Sequence, residues 1–317
     1  MVEREQIEII INTIIGQSNI IGKCKRTIDE AKFNSLKTNE EIAEFFGLEY
    51  LPQGRLGTEG EVMDGVNKNI AFYDKRNNVT ISFITDETYK IPGLDFDNNH
   101  VEGDYGDEYV VNLKDVIRAY YEAPYSLKKS TWLINFEKGS NLFTGGDCSM
   151  YGVNIYRGGL WGDVREVLYH EMSHALSFQY LDWRNGEDMT SDVLPEKLRS
   201  RWEKATKEDY KYQEEHGLHH QDTTEYGEEN PMEDFAEMGT TIASKLTGAN
   251  YTPNSHYKFK VEDDSPSGYH YELQNSDDII RCNPNRAKLM RELMSTGKNI
   301  DGDNKQEYID TILDKYK

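Results

Sequence analysis

The chain has 317 residues, 36 basic and 57 acidic, and a formal net charge of −21 at pH 7. That balance excludes a nucleic-acid backbone or an anionic membrane surface as the main partner, because both are bound through positive charge. With 37% hydrophobic residues, 21 Tyr and 4 Trp, the chain is not a disordered acidic tail, and its length suits about two domains or one catalytic unit with extensions.

The first residues carry Glu3 and Glu5 rather than a basic cluster, and Glu8 and Asn12 interrupt the apolar run Ile7–Ile15. Neither a secretory signal nor a membrane-spanning helix fits, so the expected location is the cytoplasm; non-classical secretion, toxin delivery and virion packaging stay open. Ile7, Ile10, Ile11, Ile14 and Ile15 recur at helical spacing, and residues 2–50 read as helices. A short helix is expected over Lys37–Phe46, with Thr38 and Glu41 as a capping box. Gly54, Gly57 and Gly60 mark a loop and a domain boundary near residue 60. Ile70–Tyr73 and Val79–Ile84 read as a hairpin turning at Asn77-Asn78.

An acidic loop over Asp95–Glu108 precedes a helix from Leu113 to about Tyr121. Thr131–Phe136 and Tyr151–Tyr156 are strand candidates, the second with Tyr151, Val153 and Ile155 on one face. It could be an edge strand that pairs with an extended peptide or an internal one. After Gly158, Gly159 and Gly162 comes the clearest helix, capped by Asp163 and Glu166, with a stripe of Val164, Val167, Leu168, Ala175 and Leu176. Leu194–Glu203 and Pro231–Leu246 are expected helices, 251–284 is loop-rich, and Arg286–Met294 and Gln306–Leu313 close the chain as helices.

The clearest helix contains His170-Glu171-Met172-Ser173-His174, an H-E-x-x-H motif. Residues i and i+4 stack on one helix face, so two imidazoles can grip one zinc ion. Glu171 then stands beside the metal's water without ligating the metal and can act as general base. With 8 His and 57 acidic residues, a shuffled chain would hold H-[DE]-x-x-H about 0.04 times, so chance is a poor explanation. The rival reading is two histidines on an ordinary amphipathic helix. Cys24, Cys148 and Cys282 are odd in number and far apart, so neither a disulfide framework nor a cysteine zinc site is expected.

A catalytic zinc site needs a third protein ligand and an open position. Ser177 and Tyr180 stand where a metzincin would have Gly and His, which excludes that class. Glu233 and Glu237 share a face of the helix begun by Pro231; one can bind metal while the other orients a ligand histidine. Against them stands a solvated acidic face in an acidic chain. Glu196, and the trio His216, His219 and His220, are weaker alternatives, Glu196 because Ser200 leaves it without a second acid. Asp95, Asp97 and Asn99, and Asp301 with Asp303, hint at calcium but lack the glycine of an EF-hand loop, so solvated turns are expected.

H-E-x-x-H followed by a helix with a glutamate is the gluzincin arrangement. The stretch Tyr226-Gly227-Glu228-Glu229-Asn230-Pro231-Met232-Glu233-Asp234-Phe235-Ala236-Glu237 resembles Y-G-x-x-N-x-x-E-x-F-A-E of the anthrax lethal factor-like peptidases, a family that includes the Pro-Pro endopeptidases. The resemblance implies Glu233 as third zinc ligand, Glu237 as its supporting carboxylate, and Tyr226 over the metal as oxyanion stabiliser or proton donor. It runs from about residue 163 to 246; the 58 residues between His174 and Glu233 are long for the family. A surface tyrosine is the bland alternative for Tyr226.

The expected fold is α+β: a zincin-like metallopeptidase with a small mixed sheet, an active-site helix, a mostly helical second lobe and helical extensions at both ends. Its expected segments are 1–60 (helical), 61–250 (catalytic) and 251–317 (loop and helices). The expected function is a zinc-dependent endopeptidase with one catalytic Zn2+ and a protein or peptide substrate in the cleft between the lobes. The alternatives are a structural, virion- or toxin-associated protein that retains a zinc-binding zincin fold, and a self-processing protease. Neither nucleic acid nor a membrane span is expected, and the oligomeric state is not legible.

Overall fold

Period-two alternation and capped helical runs organise the chain much as the sequence suggests. The computed structural model describes residues 28–52, 68–85, 113–137, 145–150, 152–156, 164–182, 187, 192–247, 258–262, 269–273 and 276–296. The expected helix at Ile7–Ile15, the glycine loop at 54–60, the acidic loop 95–108, the glycines at 158–162 with Asp163, the Asp301/Asp303 pair and the helix at 306–313 lie outside the described residues. The architecture is α+β, with nine α-helices, a six-stranded mixed sheet and a two-stranded hairpin among the described residues. These residues form two units. One takes described residues from 28–123 and 127–175; the other takes 124–126 and described residues from 176–296.

The first unit begins with α1 (Glu30–Ser35) and α2 (Asn39–Phe46). The capping box is present: Thr38 Oγ accepts from Glu41 N, and the Glu41 carboxylate accepts from Thr38 N. Gly47 ends α2 at φ 69°, the left-handed conformation glycine adopts at least cost. β1 (Glu49–Leu51), β2 (Lys68–Asp74) and β3 (Val79–Thr85) form an antiparallel meander. Its hairpin turns where expected, with Asn78 at φ 51°. α3 (Leu113–Glu122) and α4 (Tyr125–Ser130) then lead to β4 (Leu133–Glu137), which joins β3 in parallel. A parallel neighbour requires such a crossover.

β5 (Gly146–Ser149) and β6 (Gly152–Tyr156) complete the sheet in the order β1-β2-β3-β4-β6-β5. β6 is parallel to β4 and antiparallel to β5, so it is internal and β5 is the edge. Val153 and Ile155 are buried on one face, as the alternation predicts. Phe72, Phe83 and Phe136 stack along the same face, with successive ring centroids 6.0 and 5.7 Å apart. The opposite face carries a polar row. Asn135 Nδ2 donates to Asn154 Oδ1 at 3.0 Å, and Asn154 Nδ2 donates to Asp147 Oδ1 at 2.7 Å.

α5 (Val164–Phe178) follows, the helix that bears H-E-x-x-H. Of its predicted stripe, Val164, Leu168, Ala175 and Leu176 are buried and Val167 is half-buried. The Tyr169 hydroxyl donates to the Ala119 carbonyl at 3.1 Å and ties α5 to α3.

The second unit is mostly helical: α6 (Glu196–Glu215), α7 (Pro231–Thr247), α8 (Ser276–Cys282) and α9 (Pro284–Thr296), with hairpin β7 (Lys258–Glu262)–β8 (Tyr269–Leu273). Two differences from expectation stand out. Helix α6 runs on to Glu215 because its buried stripe, Leu198, Trp202 and Ala205, continues through polar Asp209 and Gln213, which an apolar period does not register. The loop-rich stretch 251–284 contains a hairpin and a helix, too short to stand out in a polar composition. No helix among the described residues is long and apolar enough to cross a membrane.

Candidate metal centre

Helix geometry brings the two histidines together. His170 and His174 lie one turn apart on α5, with Nε2 atoms 3.1 Å apart and ring planes at 78°. Two donors on a tetrahedral ion with bonds of about 2.0–2.1 Å stand about 3.3 Å apart, so this spacing fits a shared metal. His174 is buried and His170 half-buried.

Helix α7 supplies the carboxylate. Asn230 caps it: its Oδ1 accepts from Met232 N at 2.9 Å and Glu233 N at 3.0 Å, and Pro231 takes the first helical position. Ligand atoms of His170, His174 and Glu233 all lie within 4.8 Å of one another. Among the described residues this is the one group of three or more His, Cys, Asp or Glu side chains able to hold a metal ion. Two imidazoles and one carboxylate suit a borderline-soft divalent metal.

The other predicted residues are placed as follows. Glu171, beside His170 on α5, is 7% exposed, a setting where a carboxylate is partly shielded from water. Burial, then the charges of Glu171 and Asp147, push the Cys148 thiol on β5 well above its ordinary range, so Cys148 is a neutral neighbour of Glu171. Tyr226 opens a 3-10 turn, Tyr226–Glu228, and is half-buried. Glu237 is 4% exposed, and its Oε2 accepts from the Thr224 hydroxyl at 2.9 Å. Thr224 Oγ in turn accepts from Gly227 N at 3.1 Å. Glu237 therefore ties α7 to the segment that carries Tyr226.

The solvated-acidic-face alternative, weighed for Glu233 and Glu237, fails for Glu237, which is 4% exposed, while Glu233 is half-buried. His216 and His220 are engaged elsewhere. His216 Nδ1 lies 2.7 Å from the Tyr212 carbonyl; His220 pairs with Glu214 at 2.7 Å and stacks on Tyr210. Glu196 is exposed at the start of α6.

Sequence reasoning missed the residues that hold α7 in place. Asp234 Oδ1 accepts from the Thr223 backbone N–H and hydroxyl, both at 2.7 Å, and Asp234 Oδ2 accepts from Trp202 Nε1 at 2.9 Å. Arg286 on α9 reaches the same carboxylate at 2.9 Å, Asp222 at 2.8 Å and Asp209 at 3.0 Å, with its side chain fully buried. Burial alone would lower the Arg286 pKa; the charges of Asp234, Asp209 and Asp222 outweigh it and raise it, so the guanidinium stays charged. No spacing signal links Arg286 to Asp234, 52 residues earlier.

No family model matches the chain, and neither does any curated protein or solved structure. The metal-binding reading accordingly stands on the side chains themselves.

Proposed function

We propose that the protein is a zinc-dependent endopeptidase with a zincin-like catalytic fold. The observation that carries this reading is the convergence of His170, His174 and Glu233 donor atoms within 4.8 Å. Zinc held there would supply Lewis-acid polarisation of a peptide carbonyl and a water acidic enough to be deprotonated near neutral pH. His170, His174 and Glu233 would hold it and leave a coordination position free. Glu171 takes the proton of the attacking water and passes it to the departing amine. Tyr226 donates a hydrogen bond to the carbonyl oxygen as it gains negative charge. Glu237 and Thr224 keep the Tyr226 turn seated on α7.

The choice of a hydrolase over a structural zinc protein rests on Glu171, because a purely structural site has no use for a general base beside its metal. Substituting Glu171→Gln should abolish cleavage of a diverse peptide library and leave zinc content and melting temperature nearly unchanged. Metal analysis, melting and library digestion check this together. An unmodified protein that holds one zinc per chain and cuts neither the library nor the proteins it assembles with would overturn the reading in favour of a structural site.

A further inference from the structure

Gly146 opens β5, the edge strand, and the question is why no side chain stands there. Glycine serves either a conformation that other residues avoid or a close approach. Conformation is not the reason, since the positive-φ glycines among the described residues are Gly47 and Gly217. Space is the reason. A Cβ at Gly146 would lie 2.8 Å from Glu171 Cγ and 3.0 Å from Glu171 Oε1. It would also lie 2.7 Å from the Asn154 carbonyl oxygen on β6. The register pairs Gly146 with Ile155, and Ile155 with Phe136, so the missing side chain would point from the apolar sheet face that also buries those two.

We infer that Gly146 is a positioning residue for Glu171: the bare backbone of β5 leaves the space that the Glu171 side chain fills and bounds it on the sheet side. A methyl group there would displace the carboxylate. The Asn154 carbonyl sits on the backbone of the neighbouring strand and cannot swing away as a side-chain end can, so it adds a strain of its own, and of the two neighbours Glu171 is the one that can move. The kinetic consequence rests on the peptidase reading, because a misplacement of about 1 Å in a reacting group can cost about 100-fold in rate. The steric relation between the two residues does not depend on that reading.

A double-mutant cycle of Gly146→Ala, Glu171→Ala and the pair tests this by thermal unfolding, with and without zinc, alongside zinc titration and peptide cleavage. In the native background Gly146→Ala should lower Tm by roughly 3–8 °C, an overpacking effect. In the Glu171→Ala background the loss should be clearly smaller, the remainder reflecting the Asn154 carbonyl. Gly146→Ala should lower kcat about 100-fold with KM and zinc affinity little changed. Equal Tm losses in both backgrounds, or an unchanged kcat, would overturn the inference. If Gly146→Ala alone does not fold, a folded double variant supports the inference and an unfolded one overturns it. If the native protein cuts no peptide, the peptidase reading falls and the melting cycle alone decides the Gly146–Glu171 relation.

Discussion

Glu233 and Asp74 show how much one carboxylate's surroundings decide. Glu233 is half-buried, and its partners in the candidate centre are two imidazoles. Replacing it with Ala should weaken zinc binding by more than about 100-fold, beyond the usual effect of removing a supporting partner. Melting without metal should change little; competition titration with a chelator measures the first and calorimetry the second. Asp74, 7% exposed at the end of β2, is different. Burial alone would raise its pKa. Hydrogen bonds from the Asn77 side chain, Tyr120 and the backbone N–H groups of Arg76 and Asn77 outweigh burial and hold it below the ordinary value. A depressed folded-state pKa gives stability that is present above the unfolded value of about 3.9 and is lost as pH falls through the folded value. The stability advantage of the native protein over Asp74→Asn should therefore shrink as acid is added below about pH 4, read as the difference in urea midpoints. His170, Glu171 and His174 were legible because their partnership is written in a local i, i+4 step. Around Asp74 only the turn at Asn77-Asn78 was legible, since Tyr120 lies far along the chain.

Single elements depend on distant side chains for their ends. The N-terminus of α9 would leave Asn285 and Arg286 N–H groups without helical partners, and Asp209 on α6 accepts both, at 2.7 and 3.0 Å. Arg286 returns the favour by binding Asp209, Asp222 and Asp234. Replacing Arg286 with Met would leave these carboxylates without their buried cation and should cost about 3–5 kcal/mol, measured by urea unfolding. Burial raises the pKa of Asp209 and Asp222 although Arg286 opposes it, so without the arginine they should take up protons more readily still. The variant's deficit should accordingly be smaller near about pH 4 than near about pH 7. Loss of zinc affinity along with stability would fit the link through Asp234 to α7. Helix caps such as Thr38–Glu41 could be read in advance because donor and acceptor are three residues apart. The Asp209 cap on α9 could not, because its acceptor is 76 residues from Asn285.

Across the whole molecule, the net charge of −21 sets the field that an approaching peptide meets. If the peptidase reading holds, peptides with basic flanks should be cleaved with higher kcat/KM than acidic ones of matched length, and the difference should narrow as salt is raised. Equal cleavage would remove charge as a source of selectivity. The chain by itself determined what short-range rules encode: the α+β character, the hairpin at Asn77-Asn78, the capping box, the pair of histidines on one helical face and the acidic balance. Only the tertiary structure decided that β6 is internal and β5 the edge, that Gly146 faces Glu171, and that one buried arginine gathers three aspartates. The physical reason is range. Helical and strand periods repeat within a few residues and leave a pattern in the sequence, whereas a strand's place in the sheet or a buried ion pair is fixed by packing between segments whose separation along the chain carries no period.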